Sequence, residues 1–125
     1  MEKVRVVKIC DGEPNHPEYL ENDILKMSRL VKIDRSGNPY NGDEPFEIVE
    51  IKDNINIISS PAGEKLGLPI LREIGKSTKI YGVAYVVKMR GLDMISLTMD
   101  EAIEYCVKLT EKKVSVEYIY REWNF

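Results

Sequence analysis

Alternation of apolar and polar side chains predicts three strands in the first half of the chain. Residues 3–10 (KVRVVKIC) alternate, and Asp11-Gly12 ends the run. Residues 46–51 and 55–58 are two further runs with the composition of strands. The turn signal Asp53-Asn54 lies between them, so we expect the two strands to form a β-hairpin.

The most strand-like stretch is 79–89 (KIYGVAYVVKM), because both of its faces are apolar. A strand of this kind is usually central in a sheet and covered on both sides. Gly82 within it predicts a bulge, or an element packed close against the backbone. Residues 114–120 predict a last strand, with valine and tyrosine side chains on one face.

A helix is predicted over residues 98–112. Thr98 and Glu101 have the spacing of a capping box, in which the hydroxyl accepts from the Glu amide and the carboxylate accepts from the Thr amide. Lysines near the C-terminal end complement the helix dipole. The apolar stripe expected to face the core comprises Met99, Ala102, Ile103, Cys106 and Val107, with Leu109 at its margin.

The stretch that follows Pro17 is ambiguous between helix and strand. Pro17 suits the first helical position, and apolar side chains then recur at spacings of 4, 3 and 4. We therefore predict a helix at 17–28 and a short strand at 29–34. The alternative is a strand over 26–33.

The stretch 60–75 is expected to hold a broken helix. Ser60 suits the N-cap and Pro61 the first helical position. Internal glycines and a proline interrupt the pattern, so the clearer helical piece is predicted at 68–74, with Gly75 ending it.

These elements predict an α+β fold in one compact domain over residues 1–125. Strands and helices are interspersed without a regular βαβ alternation, which favours a mixed or mostly antiparallel sheet with two to three helices. A chain of 125 residues is long enough to bury a core without disulfides or metals.

Composition excludes some partners. The net charge is −3 and no dense run of Lys and Arg occurs, so we expect no nucleic-acid partner. Tyrosines at 81, 85, 118 and 120 have the composition of a base-stacking platform, but tyrosine on a half-buried sheet is also ordinary. Glutamine is absent while Lys and Glu are abundant, which suggests a thermophilic source.

The chain carries the marks of a cytoplasmic protein of a prokaryote-like cell. Its first residues predict a strand and not a secretory signal, so Cys10 and Cys106 are expected to be reduced thiols. No apolar run approaches the ~18 residues that span a bilayer, and no membrane association is expected.

The segment KIDRSGNPYNGDEP has many oxygen-bearing side chains but does not match a calcium loop. A loop of the EF-hand type that began at Asp34 would need glycine at its sixth position and glutamate at its twelfth. Pro39 and Pro45 occupy those positions. We interpret this segment as a turn-rich connection between strands.

Two other motifs are incomplete. The run Gly75-Lys76-Ser77-Thr78 resembles the end of a phosphate-binding loop, but Ile70 stands where the motif needs its first glycine. The run from Cys10 to His16 collects a thiol, two carboxylates and the only imidazole, yet one Cys and one His cannot complete a structural zinc site. We expect neither a metal nor a cofactor.

The remaining chemistry gives no catalytic group. A nucleophile paired with histidine would have to use His16, and Cys106 is expected to pack as a small apolar residue. The carboxylate pairs Glu47/Glu50 and Glu101/Glu104 are expected to face solvent.

The sequence therefore favours a non-catalytic protein-interaction or assembly module with a protein partner or a second copy. The strand predicted at 114–120 and the rings of Trp123 and Phe125 are candidate contacts. The alternative is a small-molecule or nucleotide-binding regulatory domain or minor enzyme subunit, whose ligand would approach the glycines of residues 60–75.

Overall fold

The computed structural model describes residues 2–9, 14–33, 36, 38–39, 46–60, 63–75, 78–111 and 113–114. Nine strands and two helices lie in these ranges. They are β1 (Lys3–Ile9), β2 (His16–Glu21), α1 (Ile24–Val31), β3 (Glu47–Lys52), β4 (Ile55–Ser59), β5 (Ile70–Ile74), β6 (Thr78–Tyr81), β7 (Ala84–Arg90), β8 (Asp93–Ile95), α2 (Met99–Lys108) and β9 (Lys113–Val114).

Two sheets form the framework. The larger has the order β2-β1-β7-β4-β3, with β8 also paired to β7, and all of its strand pairs are antiparallel. The smaller has the order β6-β5-β9, and its β5–β9 pair is parallel. The fold is thus α+β with a mostly antiparallel sheet, and the described residues contain two helices, the lower of the numbers expected.

The larger sheet is covered on both faces because its central strands alternate between two apolar clusters. On one face, α1 places Met27 and Val31 against Val4 and Val6 of β1. On the opposite face, α2 and the smaller sheet pack against Val7 and its neighbours. The two helices therefore lie on opposite sides of the larger sheet.

The stretch 79–89 is two strands and not one. Its second part, β7, is central and buried on both faces, as the pattern predicts. Gly82 interrupts it with a φ of +68°, a conformation that favours glycine, and the chain passes from the smaller sheet to the larger one. A Cβ at Gly82 would lie 3.0 Å from the side chain of Leu68, so a residue of the connection before β5 packs closely against this backbone.

Of the helix expected at 17–28, only residues 24–28 are helical, and the strand expected at 29–34 and the alternative strand at 26–33 are both wrong. Residues 16–21 all pair with β1, from Lys8 back to Lys3, and the backbone hydrogen bonds of that pairing outweigh a weak helical spacing. The helix begins only after Asp23, which caps it, and it continues to Val31 where a strand was expected.

The helix expected at 68–74 is also wrong. Residues 63–67 form turns, and Ile70–Ile74 is a strand paired with β6. Gly75 ends this strand with a φ of +65°, so the glycine predicted to stop a helix lies in the connection of a hairpin. Short apolar runs have no periodicity that separates helix from strand, and pairing decides the outcome.

Helix α2 begins with the predicted capping box, but its buried face differs from the prediction. Thr98 and Glu101 exchange the two expected hydrogen bonds. The fully buried side chains are Ala102, Tyr105 and Leu109, whereas Met99, Ile103 and Val107 are exposed and Cys106 is partly buried. The helix is thus rotated so that Tyr105 packs in the core.

The hairpin predicted around Asp53-Asn54 is confirmed. Strands β3 and β4 pair antiparallel, and Asn54 takes the left-handed conformation that such turns require, with a φ of 69°. Of the last predicted strand, Lys113–Val114 is a strand paired with β5, and residues 115–120 lie outside the described part. Neither described helix has the length and apolar content needed to cross a membrane.

Candidate functional site

An open groove lies where strand β2 ends and helix α1 begins. Its volume is about 400 Å³. It is lined by Leu20, Glu21, Lys26, Met27, Arg29 and Leu30. Met27 is buried and belongs to the core cluster beneath α1, while Leu30 is exposed. The groove therefore has an apolar floor and a charged rim.

The turn between β2 and α1 holds the groove in shape. The Asn22 amide donates to the Glu2 carbonyl at 2.9 Å, and the Asn22 side chain accepts from the Met94 amide at 3.1 Å. Asp23 then accepts hydrogen bonds from the Leu25 and Lys26 amides at 3.0 and 3.2 Å. These bonds fix the first turn of α1 relative to the end of β2.

The charges on the rim do not cancel. Lys26 pairs with Glu21, and this hydrogen bond lowers the pKa of Glu21 and raises the pKa of Lys26. Arg29 makes no ion pair with any residue in the described ranges. Among the groove's lining residues, Arg29 is therefore the one charge without an ionic partner in the described part of the chain.

Helix α1 also exposes apolar surface beside the groove. Leu25 and Leu30 are both exposed, and they lie on either side of Arg29 on the solvent-facing part of the helix. Neither residue was singled out by the sequence pattern, because the helix was predicted seven residues too early. The apolar spacing at Leu20, Ile24, Met27 and Val31 was visible, but the exposed leucines depend on where α1 begins.

His16 lies in β2 and is held by two acceptors. Its Nε2 is 3.0 Å from a carboxylate oxygen of Glu18, and its Nδ1 is 3.3 Å from the Pro14 carbonyl. Only the doubly protonated ring satisfies both acceptors. Accordingly, the Glu18 hydrogen bond raises the pKa of His16. Cys10 and residues 11–13 of the same predicted cluster lie outside the described part.

Cys106 does not have the surroundings of a nucleophile. It is a free thiol on α2, partly buried, and burial raises its pKa, so it is protonated at neutral pH. Asn15 is nearby, but its side-chain Nδ2 donates to the backbone carbonyls of Cys106 and Leu109 at 3.2 and 3.0 Å. Asn15 thus binds the end of the helix.

Arg72 is a buried charge that the sequence analysis missed. It is 5 % exposed and donates to the carbonyls of Leu71 and Leu109 and, at 3.1 Å, to the side-chain oxygen of Asn15. A cation at the C-terminal end of α2 interacts favourably with the helix dipole. In the sequence, Arg72 is a single arginine in an otherwise largely apolar stretch, and no pattern distinguishes a buried arginine from a surface one there.

The other candidate motifs do not assemble a site in the described residues. Gly75 joins strand to strand, whereas a phosphate-binding loop joins strand to helix, and residues 76–77 lie outside the description. Of the segment 34–45, only residues 36, 38 and 39 are described. Within the described ranges, no three His, Cys, Asp or Glu side chains are grouped as metal ligands.

Gly63 and the tyrosines also have structural roles. A Cβ at Gly63 would lie 2.2 Å from the Cβ of Tyr81, so the close approach that this glycine permits is made by the protein's own side chain. Tyr85 is buried in the larger sheet and Tyr81 belongs to the smaller one. These two rings therefore do not share a stacking surface, and Tyr118 and Tyr120 lie outside the described residues.

One carboxylate pair is less exposed than the sequence analysis expected. Glu47 and Glu50 are exposed, but Glu101 is half-buried and pairs with Lys88 at 3.1 Å. Burial raises the pKa of Glu101, and hydrogen bonds from the Thr98 amide and Lys88 outweigh that effect and hold it below its usual value. The ion pair between Lys88 and Glu101 connects α2 to the central strand β7.

Comparison of the chain with protein-family models, with curated proteins and with solved structures finds no match. The groove between β2 and α1 is the candidate binding site among the described residues. It combines concave apolar surface with an unneutralised cation, and both are properties of binding sites.

Proposed function

We propose that the protein is a non-catalytic interaction or assembly module, and that the groove between β2 and α1 receives the apolar face of an amphipathic protein segment with acidic borders. The observation that carries this proposal is the groove itself. Its apolar floor reaches the buried Met27, and Arg29 on its rim has no ionic partner among the described residues.

Apolar contact would provide most of the affinity. Leu30 lines the groove and Leu25 lies beside it, and both are exposed on α1. Burying a leucine side chain stabilises a complex by roughly 1.5–3 kcal/mol before the costs of association. A partner that inserts apolar side chains between α1 and Leu20 would cover this surface.

The two edges of the larger sheet favour a helix as the docked segment, because neither edge is suited to accept an added strand. Strand β2 is an edge of the larger sheet, but Pro17 has no N–H with which to extend the ladder. The other edge, β3, exposes Glu47 and Glu50, and charges of this kind discourage strand pairing. A helix in a groove needs no free backbone groups.

Charge would select among such segments. Arg29 offers five donors in a planar fork that suits a carboxylate. Lys26 is already paired with Glu21, so Arg29 is the one charge among the lining residues that has no ionic partner in the described ranges, and an acidic segment is favoured over a basic one. Because the rim is exposed, this preference is expected to weaken as salt rises.

A small amphiphilic carboxylate is a second candidate, since about 400 Å³ lies within the usual volumes of ligand pockets. A nucleotide is a weaker candidate. The Asp23 carboxylate already accepts from the first amides of α1, so a phosphate would meet a negative charge at that helix end.

The test uses two synthetic helical peptides with the same apolar stripe at spacings of four, one bordered by glutamate and one by lysine. We expect the acidic peptide to shift the amide resonances of residues 24–31 and to bind more tightly than the basic one. Leu30→Glu is expected to weaken that binding by about tenfold or more.

The matched control is Leu92→Glu, since Leu92 is highly exposed and does not line the groove. Equal weakening by both substitutions, or binding of both peptides outside α1, would overturn the proposal. Binding of octanoate at α1 without binding of either peptide would favour the small-molecule alternative.

A further inference from the structure

Helix α2 carries an apolar stripe that the described protein leaves uncovered. Met99, Ile103 and Val107 are 47, 53 and 68 % exposed. Their spacing of four residues places them along one side of the helix, over a length of about 12 Å. This stripe lies beside the buried face of α2, so the apolar surface of the helix is wider than the contact that it makes within the molecule.

The stripe has an acidic border. Asp100 lies three residues before Ile103, next to it on the helix surface, and makes no ion pair with any residue that the structure describes. Glu104 also lies on this side of the helix and pairs with Lys108 at 2.9 Å. The stripe therefore has the chemistry that the groove between β2 and α1 would recognise.

We propose that the stripe of α2 in one copy of the protein docks into the groove of a second copy, with Asp100 meeting Arg29. This inference rests on the proposed function, because it names the occupant of the same groove. Three properties match: both surfaces are apolar, both are about two helical turns long, and their unpaired charges are opposite.

The contact would be head-to-tail. Since α1 and α2 pack on opposite faces of the larger sheet, a molecule cannot place its own stripe in its own groove. Each copy in a pair would keep one free groove and one free stripe. Such heterologous contacts continue into open chains or close into rings, and they do not stop at a two-fold dimer.

The association is expected to be weak, because the two helical surfaces are short. Stable interfaces usually bury roughly 1,200–2,000 Å² in total, and small apolar contacts are typically transient. Assembly should therefore depend on concentration and be measured by sedimentation velocity at high protein concentration. We expect the wild-type weight-average sedimentation coefficient to rise steadily with concentration.

A mixing experiment separates this arrangement from other arrangements. The groove variant Leu30→Glu keeps an intact stripe, and the stripe variant Ile103→Glu keeps an intact groove. Both positions are exposed, so both variants should fold, which circular dichroism would check. We expect each variant alone to remain monomeric and an equimolar mixture to form a one-to-one heterodimer. Leu92→Glu should assemble like the wild type.

Other occupants of the stripe give different results. Stripe-to-stripe pairing predicts that Leu30→Glu still dimerises alone. Coverage of the stripe by residues 115–125 of the same chain predicts monomers for the wild type, both variants and the mixture. Either result would overturn head-to-tail docking.

Exchanging the charges at positions 29 and 100 tests the proposed contact between Arg29 and Asp100. We expect Arg29→Asp and Asp100→Arg each to weaken self-association by about three- to tenfold at low salt, and the double variant to recover it. A double variant that is as weak as the singles would contradict the contact.

The peptide experiment on the stripe variant, which is expected to be monomeric, keeps the two proposals distinguishable. If that variant binds the acidic peptide at α1 but the wild type never self-associates, the proposed function of the groove stands. The proposal that a second copy of the protein occupies the groove is then wrong. If neither peptide binds at α1, the groove function fails.

Discussion

At the scale of single residues, Arg72 makes the most extensive buried hydrogen-bond set of the described charged side chains. It joins β5 to the end of α2 through the Leu109 carbonyl and the Asn15 side chain. Burying a guanidinium is costly unless its donors are satisfied, and here each nitrogen has an acceptor. The arginine thus stabilises one particular docking of α2.

Replacing Arg72 with methionine is expected to lower the free energy of unfolding by about 2–4 kcal/mol, because buried acceptors lose a charged donor. Urea denaturation would measure the change. Arg90→Met is the matched control: Arg90 is exposed at the end of β7, and we expect a change within about 0.5 kcal/mol. Similar losses in both variants would contradict the role given to Arg72.

His16 is the only histidine, so its titration can be followed as one NMR signal. We expect a pKa above 6.5, because Glu18 and the Pro14 carbonyl hold the protonated ring, although burial and Lys8 oppose them. Glu18→Gln should move the pKa down, whereas Glu47→Gln should leave it unchanged. A pKa at or below 6.5 in the wild type would show that the Glu18 contact is absent in solution.

The raised pKa also sets the sign of a pH effect on stability. The folded state binds the His16 proton more tightly, so this stabilisation is complete below the unfolded pKa of about 6.5 and is lost as pH rises through the folded value. The effect is small, since the His16 and Glu18 side chains are partly exposed.

At the scale of elements, Asp23 decides where α1 begins and hence how the groove is formed. Asp23→Ala removes the acceptor of the Leu25 and Lys26 amides, and we expect a loss of about 1 kcal/mol in the free energy of unfolding. Binding of the acidic peptide should weaken too, because the first turn of α1 carries the exposed Leu25 beside the groove and would be held less firmly. Glu64→Ala, at an exposed position far from α1 in the chain, is the control and should change neither quantity appreciably.

In α2, the residue at which the helix begins and the face that it buries have different causes. The capping box of Thr98 and Glu101 is local, and α2 begins where it predicts. Viewed down its axis, α2 has apolar side chains around more than half of its circumference, with Tyr105 at one edge of the arc and Val107 at the other. This arc is too wide to indicate one buried face. Docking on β1 and β2 selects Tyr105, and the remaining apolar side chains become the exposed stripe.

At the scale of the whole molecule, the composition suggests high thermal stability. Glutamine is absent and Lys/Glu content is high, and described ion pairs such as Lys88–Glu101 join separate elements. We expect a melting midpoint above about 60 °C by calorimetry. A lower midpoint in dilute solution would contradict a thermophilic origin, and dilution separates intrinsic stability from any gained by assembly.

Local chemistry in the sequence determined the hairpin around Asp53-Asn54, the start of α2, the buried strand β7 and the α+β class, because turns, caps and alternation act over a few residues. It also determined that the segment from Asp34 and the Gly75 run lack the residues of a calcium or phosphate loop. Tertiary structure decided the rest. Pairing with β1 made a strand of residues 16–21, pairing with β6 made one of 70–74, and packing on the sheet left the groove of α1 and the stripe of α2 exposed. Strand pairing and helix docking depend on partners distant in the chain, which short-range periodicity does not encode.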